Sequence, residues 1–302
     1  METVFDCIII GAGVSGMTAA LYLKRYGYNI LLLEKGVPGG QINQSYIIEN
    51  YPGFDKIDGP SLALNILNQM KKINLSPTYG TVKKVYQEQK VNKVVTDVNI
   101  YTGKTIILAT GRQPKKLGIA NEENLIGHGI SYCATCDGPL FKGKDVCIVG
   151  GGNSALEESL YLSSICRKVS ILYRGDKLSA DKVIVEKVKN IKNIDIKYNS
   201  VVNTFNENDG YLTGITLQDG TMIPCEGVFI YIGLYSDLDY LSDLQLERKE
   251  TQLIVAEDMS TNIKSIYACG DITQKTLYQI VTAASDGAIV AHSVKQYLQN
   301  EE

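Results

Sequence analysis

Two glycine-rich turns, each following an apolar strand pattern, constrain the fold of this chain most strongly. The first is the run Gly11 to Gly16, which follows the apolar segment Val4 to Ile10 and opens a helix predicted to reach about Tyr26. In such a turn the first glycine allows the tight bend, the second lets a pyrophosphate approach the backbone, and the third lets helix pack on strand. A strand over Asn29 to Leu33 then leads to Glu34, whose carboxylate can accept from a ribose hydroxyl. The pattern predicts a dinucleotide-binding unit.

The same plan recurs in the middle of the chain. The strand pattern Val146 to Val149 precedes the run Gly150 to Ala155, a helix follows to about Ser164, and another strand is predicted over Lys168 to Leu172. An intact turn of this kind either binds a second nucleotide or persists because it packs a helix on a strand, and the residues leave both interpretations open. Two such units predict two nucleotide-type domains.

The last third of the chain predicts a return to the first unit. A strand beginning near Ser265 leads through Gly270-Asp271 into a helix from about Ile280 to Leu298. We therefore expect an α/β fold with two Rossmann-like (three-layer ββα) nucleotide-binding domains, the second inserted in the first. Residues 1–114 and 240–302 would form the first domain and residues 115–239 the second. The junctions at Gln113-Pro114 and Tyr235 to Asp239 are polar or broken by proline, as a hinge should be.

A close pair of cysteines lies between the two glycine turns. Cys133 and Cys136 are separated by two residues and followed at once by Asp137, which could shuttle a proton. The short loop lets both sulfurs meet, and the positive end of a helix would lower a thiol pKa so that thiolate is available for exchange. A zinc site is the competing interpretation, but it needs further ligands, and only His128 lies nearby. We predict a redox dithiol with Cys133, Cys136 and Asp137 as catalytic residues, and no metal site.

Composition argues against several other classes of protein. The 302 residues carry a formal net charge of −3, so no basic excess suggests nucleic acid. No apolar run reaches the roughly 18 residues that a membrane span needs. The seven cysteines include one close pair only, which does not make the disulfide framework of a secreted protein. We therefore expect a cytoplasmic protein.

Over essentially its whole length, the chain resembles the low-molecular-weight thioredoxin reductase family of FAD-dependent disulfide oxidoreductases. The resemblance rests on both glycine turns, on the cysteine pair with its aspartate, and on the motifs Gly39 to Gln41, Glu49 to Gly53, Ile107 to Gly111, Glu157-Glu158 and Gly270-Asp271. It implies that FAD lies extended in the first domain. The residues implied to bind it are Gly11, Gly13, Ser15, Gly16, Glu34, Gly40, Gln41, Asn50, Val82, Ala109, Gly111, Gly270, Asp271 and Gln279.

The resemblance also implies roles for the cysteines and for partners. Cys136 would contact the reduced flavin, and Cys133 would attack the disulfide of thioredoxin or a thioredoxin-like protein. The family further implies a homodimer.

Departures from the family pattern concern the electron donor. NADPH-using relatives carry His-Arg-Arg-x-x-x-Arg where this chain has Tyr173 to Ser179, so two of the three arginines that neutralise the 2′-phosphate are absent. Each lost hydrogen bond to a charged group costs about 1.5–3 kcal/mol, which Arg174 and Lys177 would offset only in part. Tyr278 stands where relatives commonly carry arginine, and would either pack as an ordinary aromatic or cover the flavin.

These departures resemble the thioredoxin reductases that take no electrons from pyridine nucleotides, including those served by ferredoxin. We predict reduced ferredoxin as donor, with NADPH or NADH as the alternative. A dithiol oxidase is a further possibility, in which the same cysteines and FAD oxidise a small dithiol and pass electrons to oxygen. A non-catalytic flavin-binding sensor is the last, and the intact cysteine pair argues against it.

Overall fold

A computed structural model describes residues 3–45, 47–89 and 91–301 of the chain. Within these ranges, the strands β1 to β19 are Val4–Ile10, Ile30–Glu34, Thr78–Tyr79, Val82–Glu88, Val91–Thr96, Ile100–Leu108, Gln113–Pro114, Ile130–Ser131, Asp145–Val149, Lys168–Leu172, Ile194–Lys197, Val202–Asn208, Tyr211–Leu217, Met222–Pro224, Gly227–Ile230, Leu234–Tyr235, Arg248–Lys249, Gln252–Leu253 and Ile266–Ala268. The α-helices α1 to α7 are Val14–Arg25, Gly59–Lys71, Glu122–Leu125, Ala134–Asp137, Asn153–Ser163, Lys182–Lys189 and Ile280–Glu301. Short 3₁₀ turns lie at Gly40–Gln44, Gly138–Phe141, Asp239–Leu241 and Gly270–Ile272.

The first of two compact units comprises the chain up to Gln113 and from Tyr235 onward. Its main sheet has the strand order β3-β2-β1-β6-β5-β4, with β19 also paired to β6. Strand β1 pairs in parallel with β2 and β6. On its other side β6 pairs antiparallel with β5 over its first residues and parallel with β19 over its last ones. The central strands end in continuous buried apolar runs, as expected for parallel strands covered on both faces.

Helices α1 and α7 cover one face of this sheet. Successive residues of β1 point to opposite faces, so Ile9 joins a core with Met17 of α1 and Val290 of α7, whereas Ile8 joins a second core with Ile106. The apolar residues of both helices face this core, and α7 continues to Glu301.

Close backbone contact sets how α1 begins. A Cβ atom built on Gly16 would lie 1.9 Å from the carbonyl oxygen of Gly11, and one on Gly11, whose φ is +104°, would lie 2.4 Å from the carbonyl oxygen of Ala109. Nothing lies within 4 Å of a Cβ built on Gly13. The first and third glycines are therefore required by packing, and the second leaves open space.

The second unit spans Pro114–Leu234. Its five-stranded sheet has the order β11-β10-β9-β15-β8, and every pairing in it is parallel. A separate antiparallel sheet, β12-β13-β14, carries apolar residues that share a core with Cys147 and Val228. Gly150 has φ of +147°, and a Cβ there would lie 2.2 Å from the carbonyl oxygen of Tyr231, so this glycine turn too is pressed against a neighbouring strand.

The predicted α/β class is confirmed, and the helices and strands around both glycine turns begin and end within one or two residues of their predicted bounds. The second crossing between units falls after Leu234, earlier than the expected residue 239. The reason lies in residues 235–239 themselves, since Ser236 N–H donates to Thr251 Oγ1 at 3.3 Å and Leu238 packs against the core of the main sheet. None of the helices in the described ranges is both long and apolar enough to cross a membrane.

Replacing Gly16 by alanine should destabilise the fold, because the new methyl group meets a backbone oxygen that cannot move independently. We expect a loss of about 3 kcal/mol or more in the free energy of unfolding of the cofactor-free protein, the upper end for overpacking. Denaturant unfolding of the first unit's helices measures it. The matched control is Gly13→Ala, which has free space and should cost about 1 kcal/mol or less as a helix N-cap. Equal losses in both variants would contradict the packing account.

Candidate functional site

The predicted cysteine pair forms a disulfide in the second unit. Cys133 is the N-cap of α4, and the backbone N–H of Cys136 donates to Cys133 Sγ at 3.1 Å. The prediction that the pair opens a helix is confirmed, but α4 has only four residues and passes directly into a 3₁₀ turn. A single turn has a small dipole, so the direct N–H contact, rather than a long helix, is what would stabilise negative charge on Cys133 Sγ.

Asp137 is held beside the cysteines by Ser131. The Ser131 hydroxyl donates to Asp137 Oδ2 at 2.6 Å and accepts from the backbone N–H of Cys133 at 3.0 Å. The predicted proton carrier is thus tied to the first cysteine through one buried hydroxyl. Sequence reasoning did not select Ser131, although its place two residues before Cys133 was the available signal.

The two sulfurs differ in accessibility. Cys133 is 8% exposed, whereas Cys136 belongs to the exposed residues of the turn. An approaching disulfide would meet Cys136 first, so the predicted attack by Cys133 requires this residue to become more exposed during turnover.

Tyr231, which directly follows strand β15, supports the other side of the dithiol turn. Its hydroxyl accepts from the backbone N–H of Ala134 at 2.8 Å. Burial, reinforced by the charge of Glu158, raises the pKa of Tyr231, so the phenol stays protonated. This residue too escaped the sequence reasoning, because it lies far from the cysteines in the chain.

In the first unit, the glycine turn is shaped to hold an anion. Gly13 is the N-cap of the 12-residue helix α1 and provides no side-chain hydrogen bond to its first turn. Gly40 lies against it, since a Cβ there would be 3.3 Å from Gly13 Cα, and Gly39 N–H donates to Ala12 O at 2.8 Å. A helix N-terminus without a side-chain cap, and with no atom within 4 Å of the Cβ position of Gly13, fits a pyrophosphate.

Glu34 closes one side of this turn. Its Oε2 accepts from Ala12 N–H at 2.7 Å and its Oε1 from Gly36 N–H at 2.8 Å. A carboxylate has about four acceptor positions, so Glu34 can still accept from ribose hydroxyls.

The turn before α7 reaches the same place. A Cβ on Gly270 would lie 2.3 Å from Ser15 Oγ, which brings two predicted cofactor residues together. Gly270 N–H donates to Asp286 Oδ2 at 2.9 Å, and Asp286 also forms an ion pair with Lys275, with only 12% and 15% of the two side chains exposed. Burial raises the pKa of the neighbouring Asp271, and the positive charges of Lys275 and Arg112 oppose the rise.

The other predicted cofactor residues divide into two groups. Asn50 Nδ2 donates to Gln279 Oε1 at 3.0 Å, and Gln41 Nε2 donates to Arg112 O at 3.4 Å, beside Gly111. Ala109 is buried under the first glycine turn, with its Cβ near Gly16. Val82 instead packs with the core on the sheet face opposite the helices α1 and α7.

Tyr278 is a packed aromatic. The Arg112 guanidinium lies 4.8 Å from the centre of its ring, and its hydroxyl accepts from Gln252 Nε2 and from the backbone N–H of Lys275. These contacts hold the ring in place from three directions, which agrees with the simpler of the two interpretations of this residue.

A tyrosine ring packs against one side of the second glycine turn. Carbon atoms of the Tyr173 ring would lie within 2.4 Å of a Cβ on Gly151 and 2.9 Å of one on Gly175. Ser179 N–H donates to Gly151 O at 2.9 Å. The second glycine of the motif, Gly152, stays open, its nearest atom to a built Cβ being Ser179 Oγ at 3.8 Å.

Within the described ranges, no three His, Cys, Asp or Glu side chains converge as metal ligands would. His128, the zinc candidate, packs edge-on against the ring of Tyr211.

Comparison with known proteins places this architecture in a family. The family of pyridine nucleotide-disulphide oxidoreductases matches residues 5–287. Thioredoxin reductase of Listeria monocytogenes is 40% identical over 99% of this chain and 95% of its own, and that of Bacillus subtilis is 39% identical over 99% and 96%.

Solved structures agree. Lactococcus lactis thioredoxin reductase superimposes with a TM-score of 0.93 at 36% identity, covering 98% of this chain and 99% of its own. A ferredoxin-flavin thioredoxin reductase from Clostridium acetobutylicum gives a TM-score of 0.57 at 27% identity, covering 99% of each chain. The chain therefore belongs to the pyridine nucleotide-disulphide oxidoreductases, among the low-molecular-weight thioredoxin reductases, whose cofactor is FAD.

Proposed function

We propose that this thioredoxin reductase takes its electrons from reduced ferredoxin rather than from NADPH. The observation that carries the proposal is the second glycine turn, where the Tyr173 ring covers Gly151 and Gly175. In the family pattern, NADPH-using relatives carry His at the position of Tyr173 and Arg at the position of Gly175.

The charge at this strand end is too small to favour a 2′-phosphate. Gly175 and Ser179 offer no guanidinium, and the remaining cations, Arg174 and Lys177, are exposed. A dianionic phosphate gains about 1.5–3 kcal/mol from each hydrogen bond to a charged partner, so losing two such bonds weakens binding by about 3–6 kcal/mol. Solvent screening of the two exposed cations limits what they recover.

A pyridine-nucleotide-dependent reductase is the second candidate. It is favoured by the open space at Gly152 and by the absence of a side-chain cap on α5, which leaves the amides of that helix N-terminus available to a pyrophosphate. The strand end offers no acid to hold an NADH ribose, because Tyr173 occupies that place.

For FAD we propose the first glycine turn. Gly11, Gly13 and Gly16 would hold the pyrophosphate, Glu34 the adenosine ribose, and Asp271 the ribityl chain or phosphate. The remaining predicted contacts would line the cofactor with Ser15 and Gly270 at the turn, and they are Gly40, Gln41, Asn50, Val82, Ala109, Gly111 and Gln279. Bound FAD can accept electrons singly and deliver them in pairs, which is what a one-electron donor and a disulfide acceptor require.

At the dithiol, we propose that Cys133 attacks the partner's disulfide and Cys136 resolves the mixed disulfide. In the first step Cys133 Sγ gives up its proton to Asp137 and bonds to one partner sulfur, which breaks the partner's disulfide, and the released sulfur takes that proton back from Asp137. In the second step Cys136 Sγ displaces the remaining partner sulfur, which takes the Cys136 proton, so the partner leaves as a dithiol and the Cys133–Cys136 disulfide re-forms. Ser131 keeps Asp137 beside this exchange. A homodimer and a cytoplasmic location complete the proposal.

Donor identity is tested by anaerobic titration of the purified holoenzyme with NADPH, NADH and reduced ferredoxin, while the oxidised flavin absorbance is followed. We expect rapid bleaching with ferredoxin, recovery when oxidised thioredoxin is added, and little bleaching with either nucleotide. Rapid bleaching by NADPH would overturn the proposed donor. Peroxide formation with a small dithiol and oxygen, without ferredoxin-driven thioredoxin reduction, would instead indicate a dithiol oxidase.

The phosphate argument is tested by restoring the missing charges. The variant Y173H/G175R/S179R should raise kcat/KM for NADPH relative to NADH by about 100-fold, the equivalent of two charge-assisted hydrogen bonds at about 1.5 kcal/mol each. Steady-state thioredoxin reduction with each nucleotide measures the ratio. The control Y173H/G175A/S179A opens the same space without charge and should leave it unchanged. An unchanged ratio in the arginine variant would show that the 2′-phosphate is not read at this strand end.

A further inference from the structure

A half-buried carboxyl group, one oxygen of which is inaccessible to solvent, lies behind the dithiol turn and has no role in the chemistry described so far. Glu158 is on α5, the helix that follows the second glycine turn. Its Oε2 and the Oγ1 of Thr135, the residue between Ala134 and Cys136, are both inaccessible to solvent and lack a hydrogen-bond partner among the described residues. The hydroxyl is nevertheless near enough to the carboxyl to influence its ionisation.

Such a pair is costly as long as both groups lack a partner. A buried polar group without a partner loses the water that it had in the unfolded chain, and gains nothing in return. A carboxyl group that faces a hydroxyl can accept from it when ionised and can donate to it when protonated. The pair can therefore be satisfied in either protonation state after a small rotation, and it touches the turn that carries both sulfurs.

The surroundings of Glu158 are acidic. Burial and, to a smaller extent, the charge of Glu157 raise its pKa to about 7, and the Thr135 hydroxyl opposes that rise. The charge of Glu158 in turn acts on Tyr231, which also feels Asp137 and accepts from Ala134 N–H. Among the described residues, no cation lowers the pKa of Glu158. The charge of Glu158 thus changes close to neutral pH, and it acts on Thr135 in the dithiol turn and on Tyr231 beside it.

We propose that Glu158 is a positioning residue of the dithiol: through the Thr135 hydroxyl it supports the turn between Cys133 and Cys136, and its charge controls how readily these cysteines ionise. A carboxylate behind the turn disfavours a thiolate in it, and a protonated Glu158 does not. The ionisation of Glu158 and that of the attacking thiol are then coupled, and both take part in one broad titration. The proposal rests on the dithiol being the redox centre and is independent of the electron donor.

The test is the pH profile of alkylation of the reduced holoenzyme. The protein is reduced with dithiothreitol, freed of it anaerobically, and treated briefly with iodoacetamide over a range of pH, and the modification of Cys133 and Cys136 is measured by peptide mass. In Glu158→Gln the profile should become narrower and move to lower pH, with about threefold more reactive thiolate near pH 7.5, the equivalent of about half a pKa unit. FAD content and circular dichroism check that each variant is folded.

Two neighbouring variants distinguish this role from a structural one. Glu157→Gln removes a charge that raises the pKa of Glu158. The part of the alkylation profile that follows the ionisation of Glu158 (the Glu158 step) should therefore remain and move to lower pH. Thr135→Val removes the hydroxyl that lowers this pKa, so the step should move to higher pH. These opposite shifts would support the proposal even if Glu158→Gln folds poorly. A Glu158→Gln profile identical to that of the unaltered protein, or equal shifts in the other two variants, would overturn it. No electron donor is used, so failure here leaves the ferredoxin proposal intact.

Discussion

Backbone contact at two strand-to-helix turns is the constraint on which the rest of this structure depends. In the first unit Gly16 lies against the carbonyl oxygen of Gly11, and Gly11 in turn against that of Ala109. In the second, Gly150 lies against the carbonyl oxygen of Tyr231. Each contact holds a helix N-terminus at the carboxyl ends of parallel strands, which is where such sheets bind ligands. The sites in both units follow from this placement.

The two turns have the same backbone plan and different surroundings. Around Gly13 there is open space, bordered by glycine and by a glutamate with acceptor capacity to spare. Beside the second turn, the Tyr173 ring covers two glycines. The first arrangement suits a dinucleotide, and the second offers only the exposed cations Arg174 and Lys177 beside the ring. The proposed change of electron donor would leave the fold and the dithiol as they are.

Much of this could be predicted from the sequence, because the relevant signals are local. Strand, turn and helix around Gly11 and Gly150 follow from apolar runs and glycine spacing, and the residues brought to the first turn include Ser15 and Gly270, which are far apart in the chain. What escaped prediction depends on side chains that meet only after folding. Tyr231 reaches Ala134 because two parallel strands end together, and no local pattern marks it.

Two expectations changed for physical reasons. The helix that the cysteine pair was expected to open is a single turn, because Gly138-Pro139 follows it, and the N–H of Cys136 contacts Cys133 Sγ directly. The second crossing between units comes after Leu234, since Ser236 and Leu238 already contact the first unit. The segment Tyr235 to Asp239 is polar and contains no proline, so the sequence did not mark this domain boundary more sharply.

The central claim is that electrons leave this protein through the Cys133–Cys136 pair, with Cys133 as the attacking residue. The most direct measurement uses a thioredoxin whose second active-site cysteine is serine and whose first carries a thionitrobenzoate leaving group. Cys136→Ser retains Cys133, and should displace the coloured leaving group and form a stable mixed disulfide. Cys133→Ser retains only Cys136 and should react far more slowly. Faster reaction through Cys136, or thioredoxin reduction that persists in both variants, would contradict the account.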